Sequence, residues 1–73
     1  MELRELKDLK DFVATTLERV GEMEREKAVR FLEERIEKLE DWWYGLPEIM
    51  KNYFKAEYER SLKLLLDALK LYK

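Results

Sequence analysis

Residues 40–54 read EDWWYGLPEIMKNYF, and the Gly45–Pro47 break within this stretch decides how the chain folds. Gly and Pro interrupt regular structure most strongly, and the rest of the sequence contains only one more of them, Gly21. These breaks divide the chain into three helical segments, 2–20, 22–44 and 47–73. Because short breaks make neighbouring helices antiparallel, the sequence predicts an all-α fold. We expect a single domain over 1–73, a small antiparallel three-helix bundle.

Apolar residues recur at intervals of three and four, which is the helical period. The first stripe contains Leu3, Leu6, Leu9, Val13, Leu17 and Val20, with Phe12 and Thr16 at its edge. The second contains Ala28, Val29, Leu32, Ile36, Leu39 and Trp43, flanked by Phe31 and Trp42. Gly21 follows the first stripe, where a helix C-cap is expected. The alternative is one long helix that continues through Gly21, because glycine inside a helix costs only ~1 kcal/mol relative to Ala.

The third segment has two apolar rows. The first row is Met50, Phe54, Tyr58, Leu62, Leu65, Leu69 and Tyr72, and the second is Ile49, Tyr53, Leu64, Ala68 and Leu71. At ~100° per residue the two rows cover about half of the helix circumference. A surface helix needs a stripe of only ~100°. The third helix therefore either packs between both neighbours or leaves part of its apolar face for a partner.

Composition limits the class of protein. The 73 residues carry 15 basic and 17 acidic side chains, and this net charge of −2 lacks the basic excess that is typical of nucleic-acid binders. The absence of Cys excludes disulfides and thiolate metal sites. The N-terminal MELRELKDLKD is too charged for a signal peptide, and the longest aliphatic run is only Leu64–Leu66. We expect a soluble, cytoplasmic protein.

The polar residues are strongly biased towards Glu, Lys and Arg, with one Asn, one Ser, two Thr and no Gln or His. Hyperthermophile proteins show this bias towards Lys and Glu. Designed helical proteins show it too, because strong helix formers and mixed surface charge are chosen in design. The composition therefore predicts a thermostable protein of hyperthermophile or de novo designed origin, and it does not separate these two origins.

Catalytic chemistry has few candidate residues in this sequence. There is no His for proton transfer near neutral pH, and the single Ser61 has no His to activate it. Two isolated glycines cannot form a phosphate-binding loop. The Glu-x-x-His motif of di-metal helical bundles cannot occur without His. We therefore predict no enzyme activity, no catalytic residue, no metal site, no cofactor and no small-molecule substrate.

The aromatic residues cluster around the Gly45–Pro47 break: Trp42, Trp43, Tyr44, Tyr53, Phe54 and Tyr58. One interpretation is that large rings close the end of the bundle core. The other is that Trp42, Tyr44 and Tyr53 form an exposed anchor for a protein partner, because Trp and Tyr dominate interface energetics. Among the three consecutive rings, Tyr44 is expected to be the most exposed.

Two charged residues fall within the apolar faces of their helices. Arg35 lies in the stripe of the second segment, and Glu57 lies in the apolar arc of the third. An unpaired buried charge is costly, and a hairpin of these two segments brings both residues to the same level. We predict an Arg35–Glu57 ion pair that fixes the helix register, or a polar spot within a binding face.

These patterns favour a non-catalytic role, as a protein-interaction module or a stable scaffold. The partner is another protein or a second copy in a homodimer. An alternative is a nucleic-acid-associated accessory protein that uses the lysine face of the third helix, Lys55, Lys63, Lys70 and Lys73. Many phosphate contacts are needed for nucleic-acid affinity, and the acidic residues of the same helix oppose them.

Overall fold

The computed structural model describes the backbone of residues 6–73 and the side chains of residues 8–73. It contains α1 (Leu6–Val20), α2 (Arg25–Tyr44) and α3 (Glu48–Tyr72), with no strand in this part of the chain. The molecule is 39 Å long, close to the ~37 Å expected for the 25 residues of α3, so the helices lie side by side. The predicted three-helix bundle is confirmed. Positions 2–5 of the first predicted helix, including Leu3, lie outside the described residues.

The first chain reversal takes place after Gly21. The Gly21 N–H donates to the Leu17 carbonyl, and the next two N–H groups bond carbonyls three residues back, which tightens the end of α1. No glycine has a positive φ, so Gly21 ends the helix without the left-handed conformation. The chain turns at Glu24, which is extended with φ −64° and ψ 154°. As a result α2 begins at Arg25, three residues later than the sequence predicts.

The second reversal follows the same plan at the predicted corner. Gly45 keeps a helical conformation, and its N–H donates to the Asp41 carbonyl, while the Leu46 N–H donates to the Trp43 carbonyl. Pro47 is the extended residue, with φ −63° and ψ 156°, and its carbonyl accepts bonds from the N–H groups of Met50 and Lys51. Proline suits this position because its φ is fixed near −65° and it has no N–H to satisfy.

The core lies along the common axis of the three helices. Its fully or nearly fully buried apolar members are Leu9, Phe12, Val13, Val20, Ala28, Leu32, Leu39, Phe54, Tyr58 and Leu65. In α1 the buried face is rotated from the predicted stripe, because Phe12 and Thr16 are buried whereas Leu17 is 37% exposed. Thr16 is buried at low cost, since its hydroxyl donates to the Phe12 carbonyl at 2.7 Å.

The two apolar rows of α3 have different environments. The first row faces α1 and α2, and four of its members and neighbours, Phe54, Tyr58, Ser61 and Leu65, are buried. The second row points away from the core and is exposed, except for the half-buried Ala68. α3 therefore packs between both neighbours, as one of the two arrangements requires, and part of its wide apolar arc nevertheless stays exposed.

Candidate interaction surface

The rings around the α2–α3 corner pack mainly on one another. Trp43 stacks on Tyr58 with ring centres 4.3 Å apart and planes 5° from parallel. Trp42 meets Phe54 edge to face at 5.6 Å. Both Trp side chains are half-buried and pack against the core. Offset and edge-to-face pairs contribute ~0.5–1.5 kcal/mol beyond the area that they bury, so these four rings close the end of the bundle.

The environment of the Tyr58 phenol moves its ionisation to higher pH by raising its pKa. Burial raises the pKa of Tyr58, and the negative charges of Glu40 and of ionised Tyr44 raise it further. At neutral pH the stack therefore joins an indole to an uncharged phenol.

The three residues predicted to bind a partner do not form one continuous surface. Tyr53 is 71% exposed, and its ring meets Phe54 edge to face at 4.8 Å, so Phe54 connects it to Trp42. Tyr44 is 70% exposed and is the most exposed of the three consecutive rings, as expected. The ammonium group of Lys51 lies 5.8 Å from the centre of the Tyr44 ring. Among the described residues, Tyr44 does not pair with another aromatic ring. Trp42 and Tyr53 thus belong to one cluster, and Tyr44 lies apart from it.

A longer apolar surface lies on the solvent side of α3. We call it the outer stripe, and it consists of Ile49, Tyr53, Ala56, Arg60, Leu64, Asp67 and Leu71. Its large apolar members are highly exposed: Ile49 by 77%, Tyr53 by 71%, Leu64 by 45% and Leu71 by 83%. At ~100° per residue all seven positions fall within a sector of roughly 80° that is centred on Arg60. The sequence analysis gave a face left for a partner as one of two alternatives, and of the stripe it named only Tyr53 as a partner-binding residue.

Arg35 is placed against α1 and not against α3. Its guanidinium carbon lies 4.9 Å from the ring centres of both Phe12 and Phe31. Its Nε is buried and has no hydrogen-bond acceptor. Burial lowers the pKa of Arg35 below its ordinary value, the charge of Arg19 lowers it further, and Glu34 partly opposes this shift.

The structure does not bring Arg35 and Glu57 together in an ion pair. The ion pairs between described side chains are Lys63–Asp67 at 3.1 Å and Lys73–Glu33 at 3.5 Å. The Arg35 guanidinium instead lies between Phe12 of α1 and Phe31 of its own helix. Cation–π contacts with two rings take the place of the predicted carboxylate partner.

The lysine face of α3 is partly neutralised by carboxylates. Lys63 and Lys73 of this face take part in the two ion pairs, whereas Lys55 and Lys70 are exposed. At the same end of the bundle Arg25 donates to the carbonyls of Tyr72 and Lys73, at 2.7 and 3.0 Å. These bonds fix the C-terminus of α3 to the start of α2. The dipole of α3 favours a cation at that C-terminus.

The described residues contain no group of three or more acidic side chains arranged to hold a metal ion. No helix among residues 6–73 combines the length and apolar character needed to cross a membrane. A shallow groove beside Arg25 is lined by Glu26, Val29, Arg30, Glu33 and Tyr72, so its cationic and anionic side chains are balanced. The outer stripe is therefore the feature of this surface that the fold itself does not explain.

Comparison of the chain with protein-family models, with curated proteins and with solved structures gave no significant match.

Proposed function

We propose that the protein is a non-catalytic protein-interaction module and that the outer stripe of α3 is its binding surface. A single observation carries the proposal: Ile49, Tyr53, Leu64 and Leu71 are large apolar side chains on one helix face, and each leaves 45–83% of its surface in water. The core of the bundle is complete without them, because its members lie on the opposite side of α3.

The extent of this surface supports an interaction role. From Ile49 to Leu71 the stripe runs 22 residues, or ~33 Å at ~1.5 Å per residue, and one helix face is about 10 Å wide. This gives roughly 300 Å², which the apolar side chains share with the charged Arg60 and Asp67. Exposed apolar patches on monomers are often functional. Single exposed apolar residues need no explanation, whereas a row along the full length of a helix does.

The rings at the corner extend the proposed surface at one end. Tyr53 stands on Phe54, which in turn packs on Trp42, so the most exposed ring is supported by a rigid base. Tyrosine on a rigid support is a favourable contact residue, because it presents a large area and loses little side-chain entropy on binding. Apolar surface of this kind contributes ~25 cal/mol for each Å² that a partner covers.

A photocrosslinking amino acid tests this proposal directly. It is introduced at Tyr53 and, as the matched control, at Glu59, which is exposed on α3 about 100° outside the centre of the stripe. Each variant is irradiated as the purified protein and in a cell extract. A discrete crosslinked product, from position 53 and absent from position 59, supports the proposal. Equal yields at the two positions, or no product at either, contradict it.

A stable scaffold without a partner is the competing interpretation of the same fold. It predicts that the stripe has no binding role. Replacing Ile49 and Leu71 with Ser changes solubility and nothing else under that interpretation. The interaction module predicts in addition that these variants lose the Tyr53-dependent product, while their free energy of unfolding stays within ~0.5 kcal/mol of the parent because both side chains are exposed.

A further inference from the structure

The two tryptophans of the α2–α3 corner have chemically different ring partners. Trp43 stacks on Tyr58, with ring centres 4.3 Å apart and planes 5° from parallel. Trp42 meets Phe54, with ring centres 5.6 Å apart and planes at 67°. Radical oxidants remove one electron readily from an indole or a phenol, whereas a phenyl ring resists them. Trp43 therefore contacts a second ring that can be oxidised, and Trp42 contacts a ring that is redox-inert.

A radical formed on Trp43 can move to Tyr58. Electron transfer slows steeply as donor and acceptor separate, and stacked rings in van der Waals contact leave no gap to cross. At neutral pH a phenoxyl radical is more stable than an indolyl radical, so an electron moves from the phenol to the indolyl ring. The phenol releases its proton to water, and the indole nitrogen takes a proton from water. The products are a phenoxyl radical and an intact indole, so electrons and protons balance.

The surroundings of Tyr58 suit a radical better than an ion. Burial raises the pKa of Tyr58, and the negative charge of Glu40 raises it further, because both disfavour the charged phenolate. The phenol and the phenoxyl radical are both neutral, so a site that disfavours charge does not disfavour their interconversion. Tyr58 is also only 8% exposed, which keeps its ring from coupling with a ring of another molecule. The position can therefore receive a radical and shield it.

We propose that the Trp43–Tyr58 stack is a one-electron relay, in which an oxidising equivalent that a radical oxidant places on Trp43 passes to Tyr58 and is held there. The azide radical serves as the oxidant in the test. It takes one electron from an indole and becomes azide, and the indole radical cation then loses its N–H proton to water. This activity needs no binding partner, so its test is separate from that of the interaction role.

Pulse radiolysis with the azide radical measures the transfer, because indolyl and phenoxyl radicals have separate visible absorption bands. The variants Trp42→Phe and Trp43→Phe each retain one of the two tryptophans and are matched to each other. In Trp42→Phe we expect the indolyl signal to convert to phenoxyl in a first-order process that is independent of protein concentration. In Trp43→Phe we expect conversion at least ~10-fold slower, because the remaining indole meets Phe54. Equal rates in the two variants overturn the proposal.

Removal of one oxygen atom identifies the ring that receives the radical. Trp42→Phe/Tyr58→Phe keeps both rings of the stack and deletes only the hydroxyl group. We expect its indolyl radical to live at least ~10-fold longer than that of Trp42→Phe alone. The control is Trp42→Phe/Tyr53→Phe, because Tyr53 pairs with Phe54 and not with Trp43, and its indolyl lifetime should stay unchanged. Circular dichroism verifies that each variant folds. An unchanged lifetime in the Tyr58 variant, or an equal increase in the Tyr53 control, overturns the relay.

Discussion

The substitution Arg35→Met tests how the bundle accommodates a guanidinium between two rings. Methionine keeps an unbranched apolar stem in the same place and removes the charge together with its five N–H donors. Two contacts of the cation are lost, with Phe12 and with Phe31, each at 4.9 Å. One unfavourable feature is removed at the same time, the buried Nε that has no acceptor.

The magnitudes of these effects nearly cancel. Each cation–π contact at a partly exposed site contributes ~0.5–1 kcal/mol, so their loss costs about 1–2 kcal/mol. Removing a buried donor without a partner restores ~1–3 kcal/mol, and Arg35 is only half-buried, so the lower end applies. We expect Arg35→Met to change the free energy of unfolding by less than ~1 kcal/mol. Arg35→Ala also removes the packed stem and is expected to cost about 2 kcal/mol.

Urea denaturation with double-mutant cycles measures the relevant couplings. Arg35→Met combined with Phe12→Leu is expected to give a coupling free energy of ~0.5–1 kcal/mol. Arg35→Met combined with Glu57→Gln is expected to give less than ~0.3 kcal/mol, because these side chains do not form an ion pair. A larger coupling of Arg35 with Glu57 than with Phe12 would refute this account and would restore the ion pair that the sequence predicts.

Three further outcomes follow from the turns and the core. Gly21→Ala should stabilise the protein by ~0.4–1 kcal/mol in thermal denaturation. The φ of Gly21 is not positive, and a new Cβ would lie 3.4 Å from the nearest atom, the Glu18 carbonyl oxygen. A loss of stability would contradict this prediction. Glu24→Ser should add about 1 kcal/mol by supplying the side-chain cap that α2 lacks, and an unchanged urea midpoint would count against this. The pKa of Tyr58 is raised by burial, so above about pH 10 the unfolded chain loses this proton first and stability falls as pH rises. Tyr58→Phe should lose less stability than the parent between about pH 9 and pH 11, and a Tyr53→Phe control, which leaves Tyr58 and its charged neighbours in place, should follow the parent.

Much of the fold is predictable because helical periodicity and chain breaks are local properties. The three apolar stripes and the Gly45–Pro47 corner give the number and the antiparallel order of the helices. The turn after α1 was placed less accurately, since α2 begins at Arg25. The sequence predicts the reversal at Gly21 as a helix C-cap, whereas in the structure the chain turns at the extended Glu24, which no residue preference marks.

The candidate site was harder to predict, because side chains at the edge of a stripe have two possible neighbours. Thr16 and Phe12 stand at the edge of the α1 stripe, yet both are buried. The burial of Thr16 is possible because its hydroxyl donates to the Phe12 carbonyl. Arg35 stands within the α2 stripe, and its long side chain reaches Phe12 of α1 and Phe31 of its own helix. Periodicity gives the faces of a helix but not which neighbour covers each face, so the sequence suggested Glu57 where the structure has two rings.

The outer stripe follows from the geometry of three packed helices. In a triangular arrangement each helix touches two neighbours that are separated by about 60° as seen from its own axis, and helix packing buries only the side chains directed at them. The two apolar rows of α3 together span about half of its circumference, so one row faces the core through Phe54, Tyr58 and Leu65 and the other faces away from the described parts of α1 and α2. A fourth helix on the far side of α3 would cover the second row. The proposed interaction role assigns that place to a binding partner, which would cover the second row without any change to the bundle.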